Sequence, residues 1–462
     1  MMYLLPVSFP NNNRINPMKT TFSQLMNNLP LHPFQVLAFS ICMIVLVADG
    51  MDAQLLGIVA PIVIPEFGVD RGTFGIAMSA ALVGFGIGSW SGGWLGDRVG
   101  RRWSLALAAA VFSLGTVAAS LANDVWQMAF WRLLGGVGFG AAYSNAIALA
   151  GEWLPERWRS VGVTTISVGT PAGGLVAAAL APTVVDLYGW RGSFVVFGIG
   201  TLLLCLLLVI VFLRDSPSFL LARGKTAEAQ NSLKRITSQP YDLEPERHAT
   251  DTAAGSVGVL DRSNLRMNIG ISITFTSVAM IAYGILNWTT TMLTARGFSF
   301  EQASYAVSIA GLTSIAASIA VGLLIQRYGS KLMVLLISIS LFFTLLLLAW
   351  KVETLSAMPT DSERMIVVAL IGLAAAIFSG GVASNYAIMT HGYPSSCRSA
   401  GIGFGIFMGR IGAIASSGLG GWLLDLGEGS ALPFFSVLCV GAVLVSTAAF
   451  VVDRHVPPAH SK

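Results

Sequence analysis

The stretch GWLGDRVGRR, residues 93–102, follows an apolar segment, and the similar stretch GLLIQRYGSK follows another at residues 322–331. Four positions agree in kind at one offset of 229 residues: Gly93 with Gly322, Arg98 with Arg327, Gly100 with Gly329, and Arg102 with Lys331. A second similar pair, PERWRSVG at 155–162 and PSSCRSAG at 394–401, lies in corresponding places. The sequence therefore predicts two copies of one structural unit.

The composition is that of a polytopic membrane protein. The chain has 462 residues, of which 54% are hydrophobic and only 11% charged, and its mean hydropathy is +0.72. Soluble domains carry about 25% charged residues. The net charge of +4 is small and does not indicate nucleic-acid binding.

Apolar stretches long enough to cross a bilayer recur along the whole chain, because a span needs about 20 residues. Twelve spans are predicted, at residues 34–58, 73–95, 103–122, 125–150, 160–182, 191–213, 268–291, 302–326, 332–350, 365–390, 399–423 and 432–452. The predicted fold class is all-α, with twelve transmembrane helices in two pseudo-symmetric six-helix bundles. Two repeats in the same orientation imply a twofold axis along the membrane normal and a site between the halves near the midplane.

The domain organisation follows from the polar segments. We expect an N-terminal tail (1–33), a six-helix bundle (34–213), a linker (214–267), a second bundle (268–452) and a C-terminal tail (453–462). The first tail lacks the apolar core of a signal peptide and is expected to be disordered. With both termini inside, inner segments hold 20 Lys and Arg residues and outer loops hold five. This asymmetry predicts cytoplasmic termini and a cytoplasmic linker.

Several motifs resemble those of the major facilitator superfamily, over essentially the whole length. The 93–102 stretch is similar to its signature between helices 2 and 3, and Arg132-x3-Gly136-x-Gly138-x-Gly140 in span 4 is similar to a second signature. DGMD at 49–52, RDSP at 214–217 and GRIGA at 409–413 resemble the aromatic acid:proton symporter family. The resemblance implies the major facilitator fold in a bacterial inner membrane and import of benzoate-like anions for aromatic catabolism.

Three functions remain open at this point. The leading hypothesis is a proton-coupled secondary transporter that imports a benzoate- or hydroxybenzoate-like carboxylate by alternating access. A proton-coupled exporter of small organic molecules is an alternative, because Gly162 and GTPAGG at 169–174 resemble an exchanger signature. An aromatic-acid membrane sensor belongs to a different class, and short termini without a signalling domain disfavour it.

No chemistry of an enzyme is evident in the sequence. It has no Gly-x4-Gly-Lys-Ser/Thr phosphate loop and no spacing typical of a metal site, so ATP hydrolysis, metals and cofactors are not expected. The expected partners are a small aromatic carboxylate, protons and the lipid bilayer, without nucleic acid, and the expected state is a monomer.

Four charged residues fall well inside predicted spans: Asp49, Asp52, Arg132 and Arg410. Charges in hydrocarbon are costly and usually functional. Asp49 lies about 22 Å and Arg132 about 20 Å from the inner side, so the two can share a level and pair. Separation of such a pair would raise the carboxylate pKa and make Asp49 a proton carrier. The alternatives are a static ion pair that fastens helices 1 and 4 and, for Asp52, a place in outer water.

Arg410 lies about 16 Å into span 11, close to the midplane. No acid of the second half lies at that depth, so its planar guanidinium is predicted to bind the substrate carboxylate in bidentate geometry. The alternatives are hydrogen bonds to carbonyl groups or a pair with an aspartate of span 1.

Aromatic and amide side chains in the second half could complete a substrate site. Tyr283 and Asn287 in span 7 share one helix face, where they could stack on a ring and donate to a hydroxyl group. Trp288 is either a further substrate contact or an interfacial anchor. Asn385, beside Tyr386 in span 10, lies nearer the inner mouth.

The loop repeat is predicted to be a conformational lock. Its residues are Gly93, Asp97, Arg98, Gly100, Arg101, Arg102 and, in the second copy, Arg327. The glycines permit a close turn, and the Asp97 carboxylate could bind a neighbouring helix and release it on opening. The alternative is a plain basic turn on the inner side. The second copy has Gln326 in place of Asp97, so any lock there should be weaker.

Overall fold

The computed structural model describes residues 18–166, 168–237, 241–244, 258–356, 358–394 and 397–459. A 3-10 turn at Arg262–Asn264 precedes the second half. The strands are β1 (Met18–Thr21) and β2 (Tyr241–Glu244). The α-helices are α1 (Phe22–Asn28), α2 (Pro33–Phe67), α3 (Arg71–Val99), α4 (Arg101–Ala119), α5 (Val125–Trp153), α6 (Glu156–Ile166), α7 (Gly169–Phe212), α8 (Pro217–Ala222), α9 (Thr226–Leu233), α10 (Leu265–Thr294), α11 (Phe300–Tyr328), α12 (Ser330–Glu353), α13 (Asp361–Gly392), α14 (Arg398–Leu426) and α15 (Leu432–Val451).

Eleven helices in the described part of the chain are long and apolar enough to cross a membrane. One of them, α7, has 44 residues and would be roughly 66 Å long if it were straight, more than twice the thickness of a bilayer core. Its helix is broken at Gly189, which has φ +68° and ψ 177°. Therefore α7 contains most of predicted span 5, whose first residues lie in α6, and nearly all of span 6, and the predicted twelve-span fold is confirmed.

The two loop repeats adopt the same local structure. Gly100 separates α3 from α4 with φ +112°, and Gly329 separates α11 from α12 with φ +82°. Residues with side chains rarely adopt a positive φ, so each turn depends on its glycine. Both preceding helices, α3 and α11, have 29 residues. The structure thus repeats the unit that the sequence repeats.

Contacts between the halves are concentrated at one end of the bundle. We call the side that holds the first residue of α2 and the last residue of α15 the termini side, and the opposite side the far side. On the far side, the Gly72 N–H donates to Asp425 Oδ2 at 3.0 Å, and Thr290 Oγ1 donates to the Gly57 carbonyl at 2.6 Å. The halves therefore close against each other on the far side.

Small residues make this closure possible. A Cβ atom added to Gly75 of α3 would lie 2.4 Å from the carbonyl oxygen of Gly418 in α14.

One buried apolar cluster joins far-side residues of both halves, including Leu55 and Leu424. A second cluster, on the termini side, contains only residues between positions 22 and 243.

The N-terminal tail is more ordered than expected, which corrects part of the prediction for residues 1–33. Strand β1 pairs in parallel with β2 of the linker, and Met18 lies opposite Tyr241. In α1, Thr21 and Gln24 form a capping box, and Phe22 packs edge-on against Trp153 with ring centroids 5.7 Å apart. The apolar face of α1 stabilises this segment. Residues 1–17 lie outside the described part of the chain.

Candidate functional site: a cavity between the two halves

A cavity near the middle of the bundle lies between α2, α3, α5, α7, α10 and α14, with about 460 Å³ of empty space, part of which is open to the surroundings. It contains residues from both halves, as expected for a site between two repeats. Four of the predicted site residues line it. The lining residues are Asp49, Ala53, Met78, Ala81, Leu82, Phe85, Phe139, Thr170, Tyr283, Asn287 and Arg410.

Arg410 is the cation of this cavity. One of its terminal nitrogens donates to the Tyr283 hydroxyl at 2.7 Å, and the guanidinium carbon lies 3.7 Å from the Phe85 ring centroid. The phenol groups of Tyr143 and Tyr386 also lie within electrostatic range of this guanidinium. Among the described residues, no carboxylate oxygen lies within 4.0 Å of it. Arg410 thus faces the cavity with hydrogen-bond donors that are not used in an ion pair.

Arg132 pairs with Asp52 and not with Asp49, so the predicted Asp49–Arg132 pair is wrong. Arg132 Nη1 donates to Asp52 Oδ2 at 2.5 Å, and Nη2 donates to the Asp52 carbonyl at 3.1 Å. The other Asp52 oxygen accepts from Thr116 Oγ1 at 2.5 Å. Asp52 and Arg132 are each only 2% exposed, which also excludes a place for Asp52 in outer water.

The helical face explains this correction. Two residues three positions apart differ by about 60° around a helix and by about 4.5 Å along it. Asp52 therefore points to α4 and α5, while Asp49 points to α7 and the cavity. Depths estimated from the sequence are too coarse to decide whether Arg132 pairs with Asp49 or with Asp52, because these two aspartates lie less than one helical turn apart.

Asp49 is a buried carboxylate whose negative charge has few polar partners. It is 3% exposed and lines the cavity, where Oδ2 accepts from Thr170 Oγ1 at 3.4 Å. Within the described ranges, no cationic nitrogen lies within 4.0 Å of it. It thus shares the cavity with Arg410 without direct contact. A carboxylate in such surroundings is well placed to exchange a proton.

Two predicted substrate contacts do not line the cavity. Trp288 is fully buried, and a Cβ atom on Gly420 of α14 would lie 2.5 Å from its indole nitrogen. This position also excludes an interfacial anchor, because the ring packs between helices. Asn385 accepts from Thr274 Oγ1 at 2.7 Å and fastens α13 to α10. Both predictions are corrected, since these side chains are used in helix packing.

Asn287 keeps its place in the candidate site. It lines the cavity while its amide donates to Ser417 Oγ at 2.8 Å. This bond leaves its amide oxygen available, and the Asn287 backbone packs closely on Gly57 of α2. Asn287 therefore connects the cavity wall with the far-side contact.

The predicted conformational lock forms a charge network at the termini side of the first half. Arg101 Nη2 donates to Asp97 Oδ1 at 2.6 Å, and its Nε donates to Glu152 Oε1 in α5 at 3.2 Å. Glu152 Oε2 accepts from Ser216 Oγ at 2.6 Å. The Asp97 side chain is 66% exposed, so its carboxylate has room for another partner. Its release on opening stays a prediction.

Gly100 and Arg102 anchor the same loop to the segment after α7. The Arg102 N–H donates to Asp215 Oδ1 at 2.9 Å, and a Cβ on Gly100 would lie 2.8 Å from Asp215 Oδ2. Burial raises the pKa of the Asp215 carboxyl, and the hydrogen bond from the Arg102 backbone opposes that shift. The Arg102 side chain donates to the carbonyls of Val209 and Ile210.

The remaining predicted lock residues make fewer contacts. The Arg98 guanidinium lies 3.9 Å from the Trp94 ring centroid, and that of Arg327 lies 5.3 Å from the Tyr328 ring centroid. A Cβ added to Gly93 would meet no atom within 4 Å. Arg98, Arg327 and Gly93 therefore fit the alternative to a conformational lock, which is a plain basic turn on the inner side.

Several residues in and around the site were not predicted from the sequence. Tyr143 follows Arg132 by eleven residues, which is three helical turns, so helical spacing could have identified it. Thr116, a polar residue in span 3, carried a similar signal. No sequence pattern distinguishes Phe85 from other apolar residues of its helix, and Glu152 lies at the end of a span, where an acid is ordinary.

The sequence model of the Major Facilitator Superfamily matches residues 42–358 and 269–462. The chain belongs to the major facilitator superfamily. Members of this superfamily are transporters, and the prediction that the chain is not an enzyme is confirmed. This membership also establishes a multi-pass membrane protein.

Three curated proteins similar to this chain are bacterial transporters of aromatic acids. The 4-hydroxybenzoate transporter PcaK of Acinetobacter baylyi is 28% identical, over 92% of this chain and 93% of that protein. The benzoate transport protein of the same species is 28% identical, over 93% of this chain and 92% of that protein. The gallate transporter of Pseudomonas putida is 28% identical, over 88% of this chain and 90% of that protein. These relatives agree with the narrower resemblance found in the sequence.

Solved structures of superfamily members share the fold. A D-xylose–proton symporter superposes with a TM-score of 0.69 at 17% identity, and the match covers 93% of this chain and 99% of that one. The inward-open conformation of the xylose transporter XylE from E. coli also gives a TM-score of 0.69, at 15% identity over 89% of this chain and 94% of that one. At these identities the likeness concerns the fold alone.

Proposed function

We propose that this protein is a proton-coupled transporter that imports a small aromatic carboxylate, of the benzoate or hydroxybenzoate type, into a bacterial cell. One observation supports this most strongly. The cavity between the halves contains the Arg410 cation, aromatic rings and a buried carboxylate, Asp49, that has no direct cationic partner. These groups match an aromatic anion and a proton.

The substrate carboxylate binds Arg410 in this proposal. A guanidinium presents two parallel N–H groups to a carboxylate, and such charge-assisted bonds are stronger than neutral ones. Phe85 and Tyr283 lie against the same guanidinium, so a substrate ring would enter an aromatic wall. The Asn287 side chain, which lines the cavity, supplies a polar group for a ring hydroxyl.

Asp49 is the proton carrier in this proposal, and Asp52 with Arg132 is a static pair. The Asp52 carboxylate accepts hydrogen bonds from both Arg132 and Thr116, so its charged form is held in place. Asp49 accepts one long hydrogen bond from Thr170. The group with fewer partners changes its protonation more easily, which divides the roles of the two aspartates.

Alternating access would use the two bundles, 34–213 and 268–452, as rigid units joined by the linker at 214–267. The described state is closed on the far side, which we assign to the outside of the inner (plasma) membrane, with both tails in the cytoplasm. A single copy contains the entire cavity, in keeping with a functional monomer. The glycines that motivated the exporter hypothesis have a packing role: a Cβ on Gly173 would lie 2.0 Å from the Val47 carbonyl.

Transport by the purified protein in liposomes tests the proposal. Loading with unlabelled 4-hydroxybenzoate should drive counterflow of the labelled acid, and an inward proton gradient should drive accumulation that a protonophore abolishes. Neutral esters of the same acids should compete poorly, because they lack the anion. Accumulation that persists in the presence of a protonophore would refute proton coupling, and an absence of counterflow with every aromatic acid tested would refute the substrate class.

A further inference from the structure

A second pocket lies outside the transport site, on the termini side of the first half. It lies between the start of α4, the segment after α7, and α8 and α9, with about 640 Å³ of empty space, part of which is open to the surroundings. Its wall includes the arginines Arg102, Arg214 and Arg235, with Asp215 and Glu228. We propose that this pocket binds the phosphate group of an anionic phospholipid.

The arginines of this pocket are not neutralised by the acids beside them. In the described part of the chain, no carboxylate oxygen lies within 4.0 Å of their guanidinium groups. Asp215 accepts the backbone N–H of Arg102 at 2.9 Å. Glu228 pairs instead with Lys225, at 3.1 Å. The pocket therefore has an excess of positive charge.

Two of these cations repel each other. Arg102 and Arg214 lie close enough for their like charges to interact unfavourably, and the charge of Asp215 opposes this effect at Arg102 without direct contact between the charged groups. Arg102 donates to backbone carbonyls at the end of α7, and Arg214 donates to the Leu213 carbonyl at 3.1 Å. These neutral acceptors position the groups but do not compensate their charge. A phosphate with several acceptor oxygens would relieve the repulsion and bind the remaining N–H donors.

The neighbouring surface favours a lipid over a free anion. Trp103 lines the pocket and is 47% exposed, and Leu107, one turn further along α4, is also exposed. Val211 and Phe212 at the end of α7 are exposed beside it. In a membrane-spanning protein these apolar faces contact acyl chains, and tryptophan is typical of the boundary between headgroups and hydrocarbon. A phospholipid would thus place its tails on α4 and α7 and its phosphate in the pocket.

The charge of the pocket selects the lipid class. Three guanidinium groups outnumber two carboxylates, one of which is paired with Lys225. Basic pockets at this depth attract lipids with a net negative charge. We therefore expect phosphatidylglycerol or cardiolipin to bind in preference to a zwitterionic lipid. This inference concerns a surface apart from the transport cavity and does not depend on the transported substrate.

Native mass spectrometry of the full-length protein, titrated with phosphatidylglycerol in detergent, tests the inference. Arg214→Gln and Arg235→Gln should each weaken the binding of the first lipid roughly fivefold, since each basic residue contributes on the order of 1 kcal/mol near an anionic lipid. The matched control is Lys234→Gln, which removes the same charge from the position beside Arg235. Lys234 does not line the pocket, so this control should bind like the wild type.

Four outcomes would overturn the assignment. Equal binding by the wild type and the Arg214→Gln/Arg235→Gln double variant would show that the lipid binds elsewhere. An equal loss in Lys234→Gln would mean that diffuse surface charge attracts the lipid. Protection against thermal unfolding by inorganic phosphate, without any by phosphatidylglycerol, would identify a free-anion site. Equal affinity for phosphatidylcholine would refute the proposed charge selectivity.

Discussion

Replacement of Arg410 with lysine should weaken substrate binding while leaving the fold intact. Lysine keeps the positive charge at the cavity wall, so the electrostatic surroundings of Asp49 change little. It loses the planar group that lies 3.7 Å from the Phe85 ring centroid and that donates to Tyr283 at 2.7 Å. An ammonium group is a compact point charge and cannot form two parallel bonds to one carboxylate.

The expected loss follows from the number of bonds. A hydrogen bond to a charged group contributes about 1.5–3 kcal/mol. Loss of one of the two bonds to the carboxylate should therefore raise the equilibrium dissociation constant of the substrate roughly 10- to 150-fold.

Equilibrium binding of radiolabelled 4-hydroxybenzoate to the purified protein measures this effect. The matched control is Arg266→Lys, because Arg266 is exposed on the termini side and donates to the Val451 carbonyl, away from the cavity. Both variants should unfold at the temperature of the wild type. An Arg410→Lys dissociation constant within threefold of the wild type would refute bidentate binding at this position, and the carboxylate would then have to bind elsewhere.

Three further substitutions separate the roles of the other buried residues. Asp49→Asn should abolish proton-driven accumulation in liposomes but retain substrate exchange, because an amide cannot carry the proton; full accumulation would remove Asp49 from the coupling step. Arg132→Met should lower the free energy of unfolding by about 3–5 kcal/mol, since it leaves the buried Asp52 carboxylate unpaired. Adding Asp52→Asn should restore part of the lost stability, and an unchanged denaturation midpoint in Arg132→Met would contradict a structural pair. Trp288→Phe should leave the dissociation constant for 4-hydroxybenzoate within twofold of the wild type, and a large loss would return Trp288 to the substrate site.

The repeat of the chain was predictable because it depends on backbone geometry that only certain residues allow. Gly100 and Gly329 both have a positive φ between consecutive helices, and this requirement is visible in the sequence as two glycines in similar surroundings. The depth of Arg410 was predictable for a similar reason, since the rise per residue of a helix is constant. Asp49, Tyr283 and Asn287, which were also predicted as site residues, line the same cavity as Arg410.

The partners of buried side chains were less predictable, because they depend on which helix lies against which face. Asp49 and Asp52 are the same residue type on the same helix, so the sequence does not distinguish them as partners of Arg132. Arg132 pairs with Asp52 because α5 packs against the face of α2 that carries Asp52. Trp288 follows Asn287 directly, but it points about 100° away and packs against α14. The order in residues 18–28 arises from contacts with distant segments such as Trp153 and β2, which no local pattern reveals.

The charge of the cavity has a consequence for the energy source. Among the described residues that line it, Asp49 is the acid and Arg410 the guanidinium, so the empty site is neutral when Asp49 is ionised. With one proton on Asp49 and one anion on Arg410, the loaded site is neutral as well. Neither form would then move net charge across the membrane, and the membrane potential, which contributes about 2.3 kcal/mol per charge at 100 mV, would do no work. Accumulation would depend on the pH difference alone, at about tenfold for each pH unit.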